Sequence, residues 1–424
     1  MLALSVIHNW HLHQLDVNNA FLHGHLSESV FMEQPKGFIN PQFPSHVCKL
    51  NKAIYGLKQA PRAWFHRLSL FLLNKGFSCS RADPSLFIYK QKSCTMYLLV
   101  YVDDLILTGN DQSTIKTFIS CLNKEFAIKD LGKLNYFLGL EVTYTQNCIF
   151  LNQSKYTFDI LTRAKMLDAK PAPTPLSANI SFISTGTVFL DATFYRSIVG
   201  ALQYLTITRP RPDISYAVNQ VSQFLHAPTT DHFQEVKWIL RYLKGTLAFG
   251  LHYSRPTFTS LLGYSDADWA RCLETRRSTY GYSIFLGGNL ISWSAKKQPT
   301  VARSSCESEY RTMANTAAEI VWITHLLQEL HALPPERPII LCDNQSAIFL
   351  TQNLVAHKRA KHIDLDYHFL RELVTAGKLA TKFVTTKLQV ADIFTKSLPS
   401  SQFNIFRHML RIGPPPFSLQ GDVR

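Results

Sequence analysis

Apolar runs separated by short polar breaks mark the first third of the chain. The clearest run covers residues 95–102, stops at Asp103 and Asp104, and resumes over residues 105–109. Aromatic and β-branched residues favour strands, and a short interruption between two such runs predicts a β-hairpin. The two aspartates are therefore expected at the tip of a tight hairpin.

Helical spacing alternates with these strands. Residues 62–74 predict an amphipathic helix whose apolar face is formed by Trp64, Leu68, Phe71 and Leu72. Together with the strand-like runs between residues 12 and 142, this helix predicts an α+β domain.

A proline-rich stretch at residues 170–179 cannot continue a helix or a central strand, so it predicts a linker. The next block, residues 195–253, reads mainly as helix, with an apolar stripe at Val236, Ile239, Leu240 and Leu243. It is expected to be a helical connecting module.

The chain from Leu261 onward predicts a compact α/β domain. Three strands come first and are followed by a long helix, a strand, two helices, a strand and a helix. The bounds expected for the long helix and the two later strands are 304–330, 338–342 and 379–384.

Composition narrows the class of protein. The 424 residues are 46% hydrophobic, enough for two or three cores. The formal charge of +14 suits a polyanionic partner such as nucleic acid. The eight cysteines contain no Cys-x-x-Cys pair, which argues against a zinc site or a disulfide framework. Without an apolar run of about 18 residues or a signal peptide, a soluble intracellular protein is expected, with no membrane partner.

The paired aspartates predict a cation site. Neighbouring carboxylates on buried strands repel each other unless a metal, a proton or hydrogen bonds compensate, and Mg²⁺ prefers oxygen ligands. Asp16 ends another strand-like run and supplies a third acid. Two divalent ions held by aspartates from separate strands could support nucleotidyl transfer. The alternatives are a solvated acidic turn for the pair and a helix N-cap for Asp16.

A second group of acids is spread over the C-terminal domain. Its members end strands or start helices and are Asp266, Glu309, Asp343 and Asp392. Glu309 shares a helical stripe with Met313, Ala317 and Ile320, so it is expected to face the sheet. Converging acids would form an oxygen cage for two Mg²⁺ ions that positions water for phosphodiester cleavage. The alternatives are caps or surface charges, and Asp268 in place of Asp266.

Several motifs in the first half resemble, in residue type and order, the reverse transcriptase of copia-type retrotransposon Pol polyproteins. They are Gln-Leu-Asp-Val at 14–17, Ala-Phe-Leu at 20–22, Val-Phe-Met-Glu-Gln-Pro-Lys-Gly-Phe at 30–38, Tyr-Gly-Leu-Lys-Gln-Ala-Pro-Arg-Ala-Trp at 55–64, Tyr-Val-Asp-Asp at 101–104 and the segments 130–134 and 137–142. The resemblance implies that Asp16 and Asp103 bind both metals and that Asp104 is a less direct third acid.

The same resemblance implies accessory roles. Nucleotide-binding residues would be Phe21, Tyr55, Gly56 and Lys58, with Phe21 under the incoming sugar, where its ring disfavours ribonucleotides. Primer contacts would come from Phe137, Leu138 and Gly139. The competing interpretations are a core position for Phe21, a solvated charge for Lys58 and an ordinary strand at 137–139.

The second half resembles the RNase H domain that follows reverse transcriptase in that family. The matching motifs lie at 276–279, 291–298, 361–364 and 391–396. The resemblance makes Asp266, Glu309, Asp343 and Asp392 metal ligands. Some RNase H enzymes carry a mobile histidine before the last acid, but this chain has Thr-Lys-Leu-Gln at 386–389, so histidine-assisted product release is not expected.

Basic residues are candidates for salt-sensitive phosphate contacts, with solvated surface charge as the alternative. They are Lys237, Arg241, Lys244, Arg276, Arg277, Lys296, Lys297, Lys358, Arg359 and Lys361. Of these, Lys237, Arg241, Lys296 and Lys297 are the expected contacts to primer or other nucleic acid.

The predicted architecture is α+β and multidomain: a right-hand polymerase palm with partial fingers, a helical connection and an RNase H-like α/β domain. The fingers are expected to be truncated, because only thirteen residues precede the first family motif. The predicted bounds are 1–168 for the reverse transcriptase region, 169–257 for the linker and helical thumb or connection, 258–398 for the RNase H-like domain and 399–424 for a loosely ordered tail.

The expected activity is RNA-directed DNA polymerisation with RNase H cleavage, with Mg²⁺ as cofactor and Mn²⁺ as an alternative. Expected partners are RNA template, DNA primer, RNA·DNA hybrid and deoxynucleoside triphosphates, in a cytoplasmic particle or the nucleus. The rival hypotheses are a catalytically inactive nucleic-acid-binding remnant and a protein with ribonuclease H activity only. The oligomeric state is left open.

Overall fold

The structure is a computed structural model that describes residues 1–177, 182–207, 210–256, 258–352 and 364–416. It separates into two compact units. The first contains Met1, Ala3–Asn135 and His325–Ala332, and the second contains Leu2, Tyr136–Thr324 and Leu333–Arg424.

The first unit is built on a six-stranded sheet in the order β4-β5-β6-β7-β1-β8. Its elements are α1 (Leu2–His8), β1 (Leu12–Val17), β2 (His25–Glu33), β3 (Val47–Lys52), α2 (Ala60–Asn74), β4 (Phe77–Cys79), β5 (Leu86–Gln91), β6 (Cys94–Tyr101), β7 (Asp104–Gly109), α3 (Gln112–Phe126) and β8 (Ile128–Lys133). Strands β2 and β3 form a separate two-stranded sheet.

Helices α2 and α3 share one apolar core with this sheet. Trp64 and Leu68 of α2 and Ile115 and Leu122 of α3 are buried in that core together with residues of β1, β6 and β7. The predicted helix at 62–74 is confirmed, and it begins two residues earlier, with a proline in its first turn. The core holds the ends of the central strands in fixed positions.

The second unit contains two five-stranded sheets, in the orders β18-β12-β11-β10-β9 and β15-β14-β13-β16-β17. Its elements are β9 (Tyr136–Phe137), β10 (Leu140–Tyr144), β11 (Cys148–Asn152), α4 (Ser154–Arg163), α5 (Ala192–Ile207), α6 (Ser215–Ser222), α7 (Thr230–Gly245), β12 (Gly250–Ser254), β13 (Leu261–Asp268), β14 (Thr279–Leu286), β15 (Asn289–Lys297), α8 (Ser305–Glu329), β16 (Ile339–Cys342), α9 (Gln345–Gln352), α10 (Asp364–Thr375), β17 (Ala380–Phe383), α11 (Ser400–Met409) and β18 (Ile412–Gly413).

The predicted element order from Leu261 is confirmed except at its end. After β17 the chain forms two 3-10 turns, Thr386–Leu388 and Val390–Phe394, before α11 begins. Asp392 therefore lies in a 3-10 turn and does not start an α-helix.

Two predicted boundaries differ from the structure. Residues 136–168 group with the second unit, because β11 pairs with β12 and thereby joins β10 to the strands of that unit. The prediction of a loosely ordered tail from residue 399 is wrong for α11 and β18, where Phe403, Phe406 and Ile412 are buried. Residues 417–424 of that tail lie outside the described residues.

Within the described ranges, no helix combines the length and the apolar character that a membrane span requires. All eight cysteines are free, as the sequence predicts.

Candidate active sites

The Asp103–Asp104 hairpin forms as predicted. Tyr101 of β6 pairs with Asp104 of β7, which leaves Val102 and Asp103 as the two turn residues. Val102 has φ of 57°, a left-handed conformation that is strained for a β-branched residue. The Trp64 indole N–H donates to the Val102 carbonyl oxygen at 2.7 Å, so α2 holds this turn in place.

Asp16 meets the hairpin from the neighbouring strand. Strands β1 and β7 are antiparallel, with Asp16 directly opposite Asp104. The Val17 backbone N–H donates to the Asp103 carbonyl oxygen at 2.9 Å. Burial and then the negative charges of Asp103 and Asp16 raise the pKa of Asp104. We call these three half-buried acids the first carboxylate cluster.

The second carboxylate cluster forms at one edge of the second sheet. Strands β13 and β16 are parallel, with Tyr264 beside Leu341, so Asp266 and Asp343 follow at the same level two residues later. Glu309 projects from α8 and is 6% exposed, and Asp392 is 4% exposed in its 3-10 turn. The structure therefore brings together all four acids that the sequence singles out.

Two neighbours of Asp392 contact this cluster. The Lys396 ammonium lies 2.8 Å from Asp392 Oδ1 and 4.0 Å from Asp266 Oδ2. The Thr395 hydroxyl donates a hydrogen bond to Asp266 Oδ2. Neither Thr395 nor Lys396 is among the site residues predicted from the sequence. Two signals point to Lys396: it belongs to the motif at 391–396, and it follows Asp392 by four positions, a spacing that brings residues together on a helical turn.

Burial and the charges of neighbouring carboxylates disfavour ionisation of Asp266, Glu309 and Asp392. Desolvation and the charge of Asp266 raise the pKa of Asp392 to about 7. Desolvation first, and then neighbouring carboxylates, raise the pKa values of Asp266 and Glu309. Charged forms of these acids therefore require a compensating cation.

Asp268 has a different environment from Asp266. One of its carboxylate oxygens accepts the backbone N–H of Thr279 on β14, and burial raises its pKa to about 8. This carboxyl group is thus engaged with the neighbouring strand, and the geometry favours Asp266 as the acid that faces Glu309, Asp343 and Asp392.

The donor atoms of both clusters suit a hard divalent cation. Every acid offers carboxylate oxygens, the ligands preferred by Mg²⁺ and Mn²⁺. In the second cluster, single ligand atoms of Glu309, Cys342 and Asp343 all lie within 4.8 Å of one another. The Cys342 thiol, 3.8 Å from Glu309 Oε2, is the one soft donor in that group of three.

Comparison with known proteins decides the family. Residues 1–178 match the family model described as reverse transcriptase (RNA-dependent DNA polymerase). The retrovirus-related Pol polyprotein from transposon RE2 of Arabidopsis thaliana is 46% identical over 425 residues, which cover 100% of this chain and 29% of that polyprotein. The transposon Ty5-1 protein YCL074W of Saccharomyces cerevisiae is 34% identical over 309 residues, 72% of this chain and 100% of that protein.

The chain belongs to the reverse transcriptase family of retrotransposon Pol polyproteins. The resemblance to copia-type elements inferred from the motifs is confirmed. The chain spans 29% of the length of the RE2 polyprotein. Among solved structures, a foamy viral protease-reverse transcriptase in complex with dsDNA aligns with a TM-score of 0.45 and 12% identity, over 91% of this chain and 70% of that chain.

Three of the nucleotide-binding candidates, Tyr55, Gly56 and Lys58, lie in one loop, and the fourth, Phe21, contacts Tyr55. The Phe21 ring is 4.7 Å from the Tyr55 ring, and Phe21 also packs on the apolar core of the first unit. Gly56 has φ of 95°, a conformation in which glycine is favoured. Lys58 is exposed in the same loop. The structure thus places Phe21 with Tyr55 and keeps Lys58 in solvent.

The primer-contact candidates form a hairpin in the second unit. Phe137 ends β9, and Leu138 and Gly139 make a two-residue turn with φ of 49° and 81°. Two positive φ values are typical of a type I′ turn. The Gln153 side-chain amide donates to the Gly139 carbonyl oxygen at 3.0 Å, which ties the turn to the end of β11.

Three of the basic candidates, Lys237, Arg241 and Lys244, lie on α7. The Lys237 ammonium is 5.0 Å from the centre of the Phe233 ring. The Arg241 guanidinium stacks at 4.8 Å over Trp238, and its Nε donates to the Lys170 carbonyl oxygen at 2.7 Å. Arg241 is therefore partly occupied in holding the linker.

The neighbours Lys296 and Lys297 differ. Lys296 is exposed, whereas the Lys297 ammonium lies 2.8 Å from both Cys272 Sγ and Gln223 Oε1. Burial alone would raise the pKa of Cys272, but the hydrogen bonds from Lys297 and Thr275 and the positive charge of Lys297 together outweigh it and lower the pKa to about 7. Lys358, Arg359 and Lys361 lie outside the described residues, as does part of the motif at 361–364.

Proposed function

We propose that the chain acts as an RNA-directed DNA polymerase and as a ribonuclease H, with one activity at each carboxylate cluster. The observation that carries the proposal is the convergence of seven acids, from distant positions in the sequence, into two separate oxygen-rich clusters. A solvated acidic turn would give no reason for Asp16 to lie opposite Asp104.

In the polymerase reaction, Asp16, Asp103 and Asp104 would hold Mg²⁺, with Mn²⁺ as an alternative. The bound ions would supply Lewis-acid chemistry, by lowering the pKa of the attacking hydroxyl and offsetting charge on the phosphates. The protein would contribute a rigid platform, because the hairpin turn is fixed by Trp64. Phe21, supported by Tyr55, would pack under the sugar of the incoming deoxynucleotide and exclude a 2′-hydroxyl group.

In the hydrolytic reaction, Asp266, Glu309, Asp343 and Asp392 would hold the metal and orient the attacking water. The raised pKa values of Asp266, Glu309 and Asp392 support this assignment, because groups that repel one another at this depth need a bound cation in order to ionise. The substrate would be the RNA strand of an RNA·DNA hybrid, held by Lys237, Arg241, Lys296 and further basic residues through its phosphates.

The direct test uses the purified chain with a primed, labelled RNA template, deoxynucleoside triphosphates and Mg²⁺. Primer growth and RNA cutting are followed in the same reaction. The matched control is the double variant Asp103→Asn/Asp343→Asn, which keeps both clusters nearly isosteric and should show neither activity. Absence of both activities in this variant excludes a contaminating enzyme as their source.

The two rival hypotheses give different results in the same experiment. Cutting without primer growth would favour a protein with ribonuclease H activity only. Salt-sensitive binding of hybrid with neither activity would favour an inactive remnant. The proposal also places the protein in a cytoplasmic particle or the nucleus, where retrotransposon nucleic acid is found.

A further inference from the structure

Lys396 occupies an unusual position for a surface-type side chain. Its ammonium lies 2.8 Å from Asp392 Oδ1 and 4.0 Å from Asp266 Oδ2. The two carboxyl side chains are 5% and 4% exposed, while the lysine side chain is 29% exposed. The positive charge thus enters the buried cluster from a solvent-accessible side.

The cluster has an electrostatic need for this charge. The charges of Asp266 and Asp343 raise the pKa values of both Glu309 and Asp392, and the Lys396 ammonium lies against two of these acids. An ammonium beside two of them offsets part of that repulsion. The Thr395 hydroxyl donates to Asp266 Oδ2, the same oxygen that lies 4.0 Å from the Lys396 ammonium, so two side chains of one short segment engage the metal-ligand candidates.

These contacts use atoms that a metal ion would also need. A divalent cation such as Mg²⁺ binds a carboxylate oxygen at roughly 2.0–2.1 Å. An ammonium on that same oxygen would lie within a few ångströms of the metal and repel it. Lysine has a flexible four-carbon stem and a strongly hydrated head, so Lys396 can withdraw to water from its partly exposed position.

We propose that Lys396 is a resident counter-cation of the second carboxylate cluster, which offsets part of the negative charge of Asp392 and Asp266 in the metal-free protein and leaves Asp392 when a divalent cation binds. This inference rests on the proposed ribonuclease H function of that cluster. It makes Lys396 a determinant of metal affinity, distinct from the metal ligands themselves.

The test measures Mg²⁺ binding by isothermal titration calorimetry on the full chain without nucleic acid. All proteins carry Asp103→Asn, which weakens the first cluster so that the signal comes from the second. Lys396→Met removes the ammonium and keeps the aliphatic stem. Lys378→Met is the matched control, because it removes one positive charge from the exposed connection before β17, at the strand end away from Asp343.

Lys396→Met is expected to bind Mg²⁺ about tenfold more tightly than its parent, the scale of one charge-assisted hydrogen bond that no longer has to be broken. Lys378→Met should change the dissociation constant by less than about twofold, since exposed charges at a distance are screened. Lys396→Arg should bind Mg²⁺ no better than the parent, because a guanidinium forms a bidentate contact with carboxylate.

The inference would be overturned if Lys396→Met bound Mg²⁺ no more tightly than the parent. Lys396→Arg would then have to be folded and to show the same Mg²⁺ affinity as Lys396→Met. Loss of the parent's Mg²⁺ binding in Asp343→Asn shows that the heat comes from the second cluster. If the parent and Lys396→Met both show no binding that depends on Asp343, the proposed ribonuclease H function fails as well. If only the counter-cation inference is wrong, the parent still binds Mg²⁺ in a way that depends on Asp343, and Lys396→Met shows no gain in affinity.

Discussion

Single side chains show that a basic residue on this chain is not automatically available to nucleic acid. Lys296 and Lys297 are adjacent, yet Lys297 donates to Cys272 and Gln223 while Lys296 is exposed. The difference follows from their opposite orientation at the end of β15, where neighbouring side chains point to opposite faces. Of the two, Lys296 remains the better candidate for a phosphate contact.

The Lys297–Cys272 contact predicts a reactive thiol. Cys272 should be alkylated by iodoacetamide with a rate that rises as pH increases through about 7, because only the thiolate reacts. Lys297→Met should move this profile to higher pH, since the ammonium that stabilises the anion is gone. Rates for each cysteine can be read by mass spectrometry of tryptic peptides.

Cys79 provides the internal reference for this experiment. The residue as a whole is exposed. Partial burial of its thiol and the negative charges of Asp83 and Glu329 raise its pKa, so its alkylation profile should lie at higher pH than that of Cys272. A Cys272 profile that is unaffected by Lys297→Met would contradict the contact.

The two nearby aspartates of β13 predict a second residue-level difference. Asp268→Asn should keep RNA-strand cleavage within about threefold, because asparagine can still accept the Thr279 N–H with its side-chain oxygen. Asp266→Asn should lower cleavage by at least ~100-fold, because it removes a charged metal-ligand candidate. Both rates come from a labelled RNA·DNA hybrid, and equal losses in the two variants would argue against this division of roles.

Sequence patterns recover the acids better than their partners. Asp16, Asp103 and Asp104 stand out because charge interrupts apolar strands. Arg211 gives no such signal, yet it is buried and makes two hydrogen bonds with Asp213, at 3.0 and 2.9 Å. Partners of this kind depend on which elements pack together, so periodicity and composition cannot identify them.

At the scale of elements, long periodic segments are predictable and short irregular ones are not. The predicted helices at 62–74 and 304–330 appear as Ala60–Asn74 and Ser305–Glu329, because apolar spacing determines both. The sequence pattern predicts a strand end or a helix start at Asp392, whereas the structure has a 3-10 turn there. Its conformation depends on packing against β14, which local sequence does not encode.

That packing requires a glycine. A Cβ atom at Gly281 of β14 would overlap Phe394 Cβ and crowd Thr395, so the segment carrying Asp392 can approach the strand only when no side chain is present. The 3-10 turn at Val390–Phe394 and strand β14 can therefore pack closely only with glycine at position 281.

Gly281→Ala should therefore push the Asp392 turn away from β14. The expected results are a loss of about 1–3 kcal/mol in the free energy of unfolding, measured by urea titration, and a fall in RNA cleavage. Primer extension should persist, because the first cluster lies in the other unit.

Gly200→Ala is the matched control for this substitution. Gly200 lies in α5, and a Cβ there meets no atom within 4 Å, so alanine should be neutral or stabilising. If Gly281→Ala behaved like Gly200→Ala in both stability and cleavage, the close approach of the Asp392 turn to Gly281 would not matter for RNA cleavage.

At the scale of the whole molecule, sequence motifs and compact units divide the chain differently. The family match ends at residue 178, near the predicted bound at 168, whereas the compact units divide between Asn135 and Tyr136. The reason is strand pairing: β11 pairs with β12, a partner roughly a hundred residues away in sequence. Sequence motifs identify the family, but pairing between strands that are distant in sequence is seen only in the structure.

The two carboxylate clusters lie in separate compact units. The central claim is therefore that one chain carries two independent catalytic activities. The most direct measurement compares Asp103→Asn and Asp343→Asn on one primed RNA template, with primer extension and RNA cutting recorded together in Mg²⁺. The account predicts that Asp103→Asn abolishes extension only and that Asp343→Asn abolishes cutting only. Loss of both activities in either variant, or survival of the targeted activity, would contradict it.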